Sequence, residues 1–375
     1  MSPPLTIMHT EASVSLGGQG IRILHEALWM RARGHRLIVV APPQSGLARE
    51  AQQAGLETQP MRFAKSTQGG DLVRLSRLLR RSKPDILNTH SSVDAWVGAL
   101  AGRLCHIPAI IRTRHLSTPV RTHMLNRYLY RALCDHVFTT AACTSARLMA
   151  DLRLAADKVS TVSTGIAPPT QLPRREDARQ ALQRELGLGP QTRFIGCLAV
   201  LRSWKGHAIL LEAFRQIQDK ISPYHLLIIG EGSQRPRLEQ QIDAWQLQKR
   251  VHLLGHRTDI WQVLRALDIN VLASTSSEGI SQSLLQAQFA GCAVIGSDCG
   301  GIPEIICHEQ TGLLVPKGDA AGLAAALRRL LDDRALAARL AHQARHEAAR
   351  HHTLEAMGHK ILARYGALLP PEKQP

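Results

Sequence analysis

Residues Ser274–Ile306 read STSSEGISQSLLQAQFAGCAVIGSDCGGIPEII and gather groups suited to a phosphorylated ligand. The β-branched run Ile269–Ala273 predicts a strand that opens into a loop of small residues. Glu278-Gly279 then precede a helix predicted to begin near Ser281. The first amides of a helix have no intrahelical partner, so the N–H groups of Ile280, Ser281, Gln282 and Ser283 can hold a diphosphate. The Glu278 carboxylate is placed to accept hydrogen bonds from sugar hydroxyls. Gln286 falls about one turn into that helix, on the side that can face a nucleoside. A second strand, Ala293–Ser297, ends in Gly300-Gly301, another place where backbone can approach a ligand closely.

A related arrangement opens the chain. The first predicted strand, Leu5–Thr10, runs into Ser15-Leu16-Gly17-Gly18-Gln19-Gly20. A helix follows, with Ile21, Leu24 and Leu28 on one face and Gly34 at its stop. The Gly17-Gly18 turn lets backbone N–H groups reach a phosphate at a helix start. The spacing is not G-x-G-x-x-G, and no ribose-binding acid follows at the expected distance, which disfavours a dinucleotide dehydrogenase.

These loops need strands to hold them. Short apolar runs alternate with helical patterns throughout. In the first half strands are predicted at Leu5–Thr10, Leu37–Ala41, Ile86–His90, Ala109–Thr113, His136–Thr140 and Val159–Ser163. In the second half they fall at Arg193–Val200, His225–Ile229, Val251–Leu254, Ile269–Ala273, Ala293–Ser297 and Leu313–Val315. Such alternation predicts α/β architecture with parallel sheets covered by helices. Length suggests two domains: residues 1–166, a Pro- and charge-rich linker at 167–191, and a second domain at 192–350. The tail, 351–375, is helical until Pro370-Pro371.

Composition narrows the function. The 375 residues carry a formal charge of +16, and residues 1–170 hold 21 basic against 10 acidic side chains. A basic front half attracts anionic partners. Aromatic residues are only 4%, too sparse for stacking platforms, and no nucleic-acid motif is present, so nucleic acid is not expected as a partner. Seven cysteines without a C-x-x-C pair fit reduced thiols. The start, MSPPLTIMHTEAS, lacks the pattern of a signal peptide, and no apolar run is long enough to span a bilayer, which predicts a cytoplasmic protein. HEAARH at His346–His351 misses the H-E-x-x-H spacing, and no D-x-D occurs, so no metal site is expected. Two stretches, Asp71–Pro84 and Arg121–His136, space arginines beside leucines as amphipathic basic helices do, and suggest peripheral contact with an anionic membrane.

The run from the Glu278-Gly279 turn to GGIPE resembles the signature of the large retaining GT-B glycosyltransferase family four. GEGSQRPRLEQ, with Gly230 and Glu231, resembles that family's Gly-rich turn, and VHLLGHRTDIWQVLRALDINVLAS resembles the run leading to its acidic turn. The resemblance spans nearly the whole chain. It implies two Rossmann-like doubly wound domains facing across a cleft, the first holding the acceptor and the second the nucleotide sugar, with the last helix crossing back to the first domain.

Residue by residue, Glu278 matches the acid that contacts the donor sugar. Gln286 stands where a second acid usually binds the ribose; an amide can still hydrogen-bond a diol, without charge. Lys205-Gly206 resembles the Lys-Gly whose lysine supports the donor phosphates. The family's arginine five residues earlier is Val200 here, and Arg202 is the substitute. His115, ending RTRH, resembles the histidine near the reacting sugar. His90 is a second candidate, and Arg112 and Arg114 can meet an anionic acceptor.

The resemblance implies transfer with retention from a nucleoside-diphosphate sugar to a glycan or lipid-linked glycan, without metal or other cofactor. Helix N-termini and cations would take the metal's place. It points to cell-envelope lipopolysaccharide or polysaccharide. Two alternatives are a GT-B-like nucleotide-sugar epimerase, which needs further acid/base residues, and a basic nucleic-acid-binding protein, suggested by charge alone.

Overall fold

Alternate residues of the first strand, β1 (Thr6–Thr10), enter opposite cores. Met8 belongs to one core with Leu75, Leu79 and Leu148, while Ile7 belongs to the other with Ile23, Ala27 and Ile361. A strand covered on both faces needs apolar residues at both parities, which is why these runs are continuous rather than alternating. The computed structural model describes residues 3–276 and 278–373. In it the chain forms two units, Met1–Gly165 with Leu354–Pro375, and Ile166–Thr353.

The first unit holds β1, β2 (Arg36–Ala41), β3 (Glu57–Pro60), β4 (Ile86–Thr89), β5 (Ala109–Arg114), β6 (His136–Thr139) and β7 (Val159–Thr161). They form one parallel sheet in the order β3-β2-β1-β4-β5-β6-β7. The edge strand β3 was not expected. Its sequence, Glu-Thr-Gln-Pro, is polar and half exposed, so neither periodicity nor apolar content marks it; pairing with Ile38–Ala41 makes it a strand. The helix Leu354–Leu368 belongs to this unit and lies on the helix Gly18–Arg31. Gly358 is seated on the Trp29 indole, where a Cβ would come within 2.4 Å of the ring. Trp29 Nε1 donates to Glu355 at 2.8 Å, and Arg33 pairs with the same carboxylate at 2.6 Å.

The second unit holds β8 (Arg193–Leu198), β9 (Tyr224–Ile229), β10 (Val251–Gly255), β11 (Ile269–Leu272), β12 (Ala293–Asp298) and β13 (Leu313–Pro316), parallel in the order β10-β9-β8-β11-β12-β13. Both sheets are doubly wound and Rossmann-like. The stretch expected as a linker, 167–191, carries the helix Arg175–Glu185 and is grouped with this unit. Ala178 and Leu182 are buried. Arg175 donates to Leu267 and Gly291 carbonyls, and Arg179 pairs with Asp268 at 2.9 Å. Arginines from that charge-rich stretch are what fasten the segment down.

Each sheet reverses strand order once, between β1 and β4 and between β8 and β11. Open α/β sheets bind ligands at such switch points, beyond the strand C-termini. The first-unit switch is the end of β1 beside the end of β4. The second-unit switch is the end of β8 beside the end of β11.

Candidate active site

At the second switch point, the turn after β8 places Lys205, and the loop after β11 places Glu278. Lys205 Nζ donates to Glu278 Oε1 at 2.6 Å, and Ser274 Oγ donates to the same oxygen at 2.7 Å. The Glu278 side chain is only 6% exposed and that of Lys205 18%. Burying a carboxylate is costly unless it is paired and hydrogen-bonded, and here it is both.

Two glycines allow this approach. Gly206 has φ +72°, and a Cβ there would lie 1.7 Å from the Ala273 carbonyl oxygen; Gly300 has φ +56°, and its Cβ would lie 2.2 Å from that of Glu278. Backbone bonds complete the link: Thr275 N donates to Trp204 O at 2.8 Å and Gly301 N to Glu278 O at 3.2 Å. The loops after β8, β11 and β12 are thus one assembly. The turn at Gly230 joins it, because Leu201 N donates to Glu231 O at 2.9 Å. The Glu231 carboxylate itself pairs with Arg235 at 2.5 Å.

The helix predicted near Ser281 spans Gln282–Phe289. Ser281 is its N-cap, its Oγ accepting from Leu284 N at 3.4 Å. Gly279, Ile280 and Ser281 are buried, whereas Gln282, Ser283 and Gln286 are half-buried. Arg202 is exposed and sits over the Trp204 ring, 5.2 Å from its centroid. Its link to Lys205 is through the backbone, Lys205 N donating to Arg202 O at 3.0 Å. His207, one residue past Gly206, is pushed down to about 4, by burial first and then by Lys205.

The first switch point holds a second polar constellation. His9, in β1, lies beside His90, the residue after β4: His9 Nδ1 and His90 Nε2 are 2.9 Å apart. His90 Nδ1 and His115 Nε2, after β5, are also 2.9 Å apart. Burial holds all three rings below the ordinary histidine range. For His90 and His115 the neighbouring rings and the Arg22 and Arg112 charges add to it. Asp94 ties the same strand ends together, accepting from Thr10 Oγ1 at 2.7 Å, His90 N at 2.9 Å and Ser91 N at 2.7 Å. Glu11, also buried, accepts from Ser13 N at 2.7 Å and from the Gln19 and Ser91 side chains. Gly17 caps the helix Gly18–Arg31 in extended conformation and is exposed with Gly18.

The two arginines of β5 differ. Arg112 is buried, and its Nε and Nη1 have no hydrogen-bond partner. Arg114 is engaged, donating to Tyr130 Oη at 3.2 Å and Thr118 O at 2.7 Å, and so anchors the loop that follows. Among the described residues no group of three or more His, Cys, Asp or Glu side chains is arranged to hold a metal ion.

The chain matches the sequence family described as glycosyl transferases group 1 over residues 178–347, and glycosyltransferase family 4 over residues 16–168. Together these matches take in most of both units, including the second switch point and the β4 side of the first. The chain belongs to the group 1 glycosyltransferases. Among curated relatives, this glycosyltransferase is 28% identical to the UDP-Gal:α-D-GlcNAc-diphosphoundecaprenol α-1,3-galactosyltransferase of Escherichia coli, over 71% of each chain. It is 37% identical to a lipopolysaccharide core biosynthesis glycosyltransferase of Rhizobium meliloti, over 36% of this chain and 38% of that one. Anabaena HepE, solved in complex with UDP and glucose, superposes with a TM-score of 0.84 at 19% identity, covering 97% of this chain and all of that one. The fold of the glycosyltransferase is GT-B.

Four buried groups at the first switch point of this glycosyltransferase, His9, Glu11, Arg22 and Asp94, were not singled out by motif. The available signal was their type: a histidine and an acid inside or just past an apolar strand, and Arg22 with Glu26 four residues apart on the buried face of a helix. Charged side chains are rarely buried unless they are paired or functional.

Proposed function

We propose that this glycosyltransferase moves a sugar, with retention of anomeric configuration and without a metal, from a nucleoside-diphosphate sugar to a glycan or lipid-linked glycan of the cell envelope, with lipopolysaccharide the leading acceptor class. The Lys205–Glu278 pair at the second switch point carries the reading. As the glycosidic bond breaks, negative charge grows on the leaving diphosphate. Lys205 is a preorganised cation for that charge, and the helix start at Gln282 adds backbone donors. Glu278 accepts from sugar hydroxyls through the lone pairs not used by Lys205 and Ser274. It is already bound by both, so it serves as a holder of the sugar rather than as a free nucleophile. Retention then follows if the acceptor attacks from the face the diphosphate leaves, the departing phosphate taking the acceptor proton.

The uridine nucleotide is the first donor to test, because the E. coli relative is named for UDP-Gal and HepE was solved with UDP. The unpartnered Arg112 nitrogens favour an anionic acceptor. A lipid-linked acceptor places the work at the inner face of the cytoplasmic membrane. Support comes from the exposed Leu116, Met124, Leu125 and Tyr128 beside exposed Arg121 and Arg131. No helix among the described residues is long and apolar enough to cross a membrane.

The test is a thermal-shift panel of UDP, GDP, ADP and CMP with their sugar conjugates, followed by NMR of the product anomer. A selective shift with one nucleotide and an unchanged anomeric configuration are expected, since ligands that bind only the native state stabilise it. No shift with any nucleotide, or an inverted product, would overturn the proposal.

A further inference from the structure

The histidine chain has an inner and an outer end. At the inner end, His9 Nε2 lies 3.9 Å from Glu26 Oε1. His9 and His90 are fully buried, while His115, at the C-terminal end of β5, is half-buried. Of the six ring nitrogens, four are used in the two ring-to-ring contacts. His9 Nε2 and His115 Nδ1 remain.

Each 2.9 Å nitrogen–nitrogen contact needs one N–H and one lone pair. The charges of Arg22, Arg112 and Arg114 face these rings and, with burial, keep them neutral. Three neutral imidazoles linked in a row have only two arrangements, since each carries a single N–H. Either all three are Nδ1–H, and a lone pair of His9 Nε2 faces Glu26, or all three are Nε2–H, and an N–H faces Glu26.

The surroundings of Glu26 choose between them. Thr113 Oγ1 donates to Asn88 Oδ1 at 2.8 Å, and Asn88 Nδ2 donates to Tyr365 Oη at 2.9 Å. Tyr365 then spends its own proton on Glu26 Oε1 at 3.1 Å. Glu26 is therefore an acceptor at the oxygen nearest His9, and an N–H toward it is favoured over a lone pair. The N–H dipoles of the chain then align, with the negative end at His115 Nδ1, and aligned bonds strengthen one another.

We propose that Glu26, His9 and His90 are positioning residues that fix His115 as its Nε2–H tautomer, so that His115 Nδ1 is presented as an acceptor for a substrate hydroxyl. This rests on the sugar-transfer reading above. It explains why two histidines are buried behind His115 when a single ring would suffice to touch a substrate.

Nitrogen-15 NMR of the imidazoles in the full-length wild-type protein tests it at neutral pH. The three rings identify themselves by couplings through their N–H···N bonds, and ring nitrogen shifts separate the tautomers. All three are expected as Nε2–H. Nδ1–H rings, a mixture or a charged ring would overturn the assignment without any appeal to activity. The kinetic arm uses His9→Phe. With His90 freed from its partner, His115 is expected to populate both tautomers and kcat/KM for transfer to fall roughly 3- to 10-fold, the scale of one neutral hydrogen bond. The nucleotide-induced thermal shift should stay unchanged. Full transfer by a folded His9→Phe protein would also overturn it. A wild type that shows the Nε2–H chain but no nucleotide shift would instead remove the sugar-transfer reading.

Discussion

Lys205 and Glu278 meet at 2.6 Å although 73 residues separate them in the chain. One stands in the turn after β8 and the other in the loop after β11. They touch because β11 pairs with β8 in the sheet and not with β10, its predecessor in sequence. The pair has two jobs in the proposed reaction, and its halves are separable by mutation.

Glu278→Ala and Lys205→Ala should each lower transfer at least ~100-fold, the effect of removing one key charge-stabilising group. Lys205→Ala should also cost roughly 1–3 kcal/mol of stability, because it leaves the buried Glu278 carboxylate with Ser274 as its remaining partner. Steady-state rates and denaturant melts check both. Full activity in either variant would remove the pair from the site.

Gln286→Glu places a carboxylate on the half-buried face of the helix Gln282–Phe289. A charged acceptor makes a stronger hydrogen bond to a ribose diol than an amide does. Nucleotide affinity should rise roughly fivefold, about 1 kcal/mol, as read by titration calorimetry. Unchanged or weaker binding would mean that this position does not touch the ribose.

Acid should destabilise the protein through buried and half-buried histidines. His136, His207 and His225 are each pushed down to about 4. Burial is the main cause, followed by Arg364, Lys205 and the His252 ring respectively. Between pH 4 and 6.5 the unfolded chain binds protons that the folded chain refuses. Stability therefore rises with pH across that window and is fully present above it. Asp94 runs the other way. Burial, aided by Glu11, lifts it to about 7 against Arg112. Its contribution is present below the ordinary aspartate range and lost as pH rises through 7. Thermal melts of the wild type should climb from pH 4.5 to 6.5, and those of Asp94→Asn should climb more steeply. A flat profile would contradict the buried neutral state of these rings.

The surface of the short helix Met124–Tyr128 is the proposed membrane contact. Met124 is 84% and Leu125 64% exposed. Met124→Glu with Leu125→Glu should abolish co-sedimentation with vesicles rich in phosphatidylglycerol, and raised salt should weaken wild-type binding, as electrostatic attraction to anionic lipid requires. Nucleotide binding should be untouched. Equal sedimentation of wild type and variant would sink the proposal.

The sequence by itself determined the parts. Continuous apolar runs specified twelve of the thirteen strands among the described residues, Ser281 specified a helix start, and Gly300-Gly301 marked backbone of close approach. These are local properties, set by a few neighbouring residues and by the period of their side chains. It misjudged Glu57–Pro60, whose strand state comes from a partner 19 residues away. It read 167–191 as a charged linker, and did not show that the arginines of Arg175–Glu185 are spent on carbonyls and on Asp268. Tertiary structure alone decided the meetings. His9 reaches His90, 81 residues on, and Lys205 reaches Glu278, because each sheet inserts a late strand beside its first. A side chain's type is written at its own position. Its partner is fixed only when strand order is chosen, by the burial of both sheet faces over the whole unit.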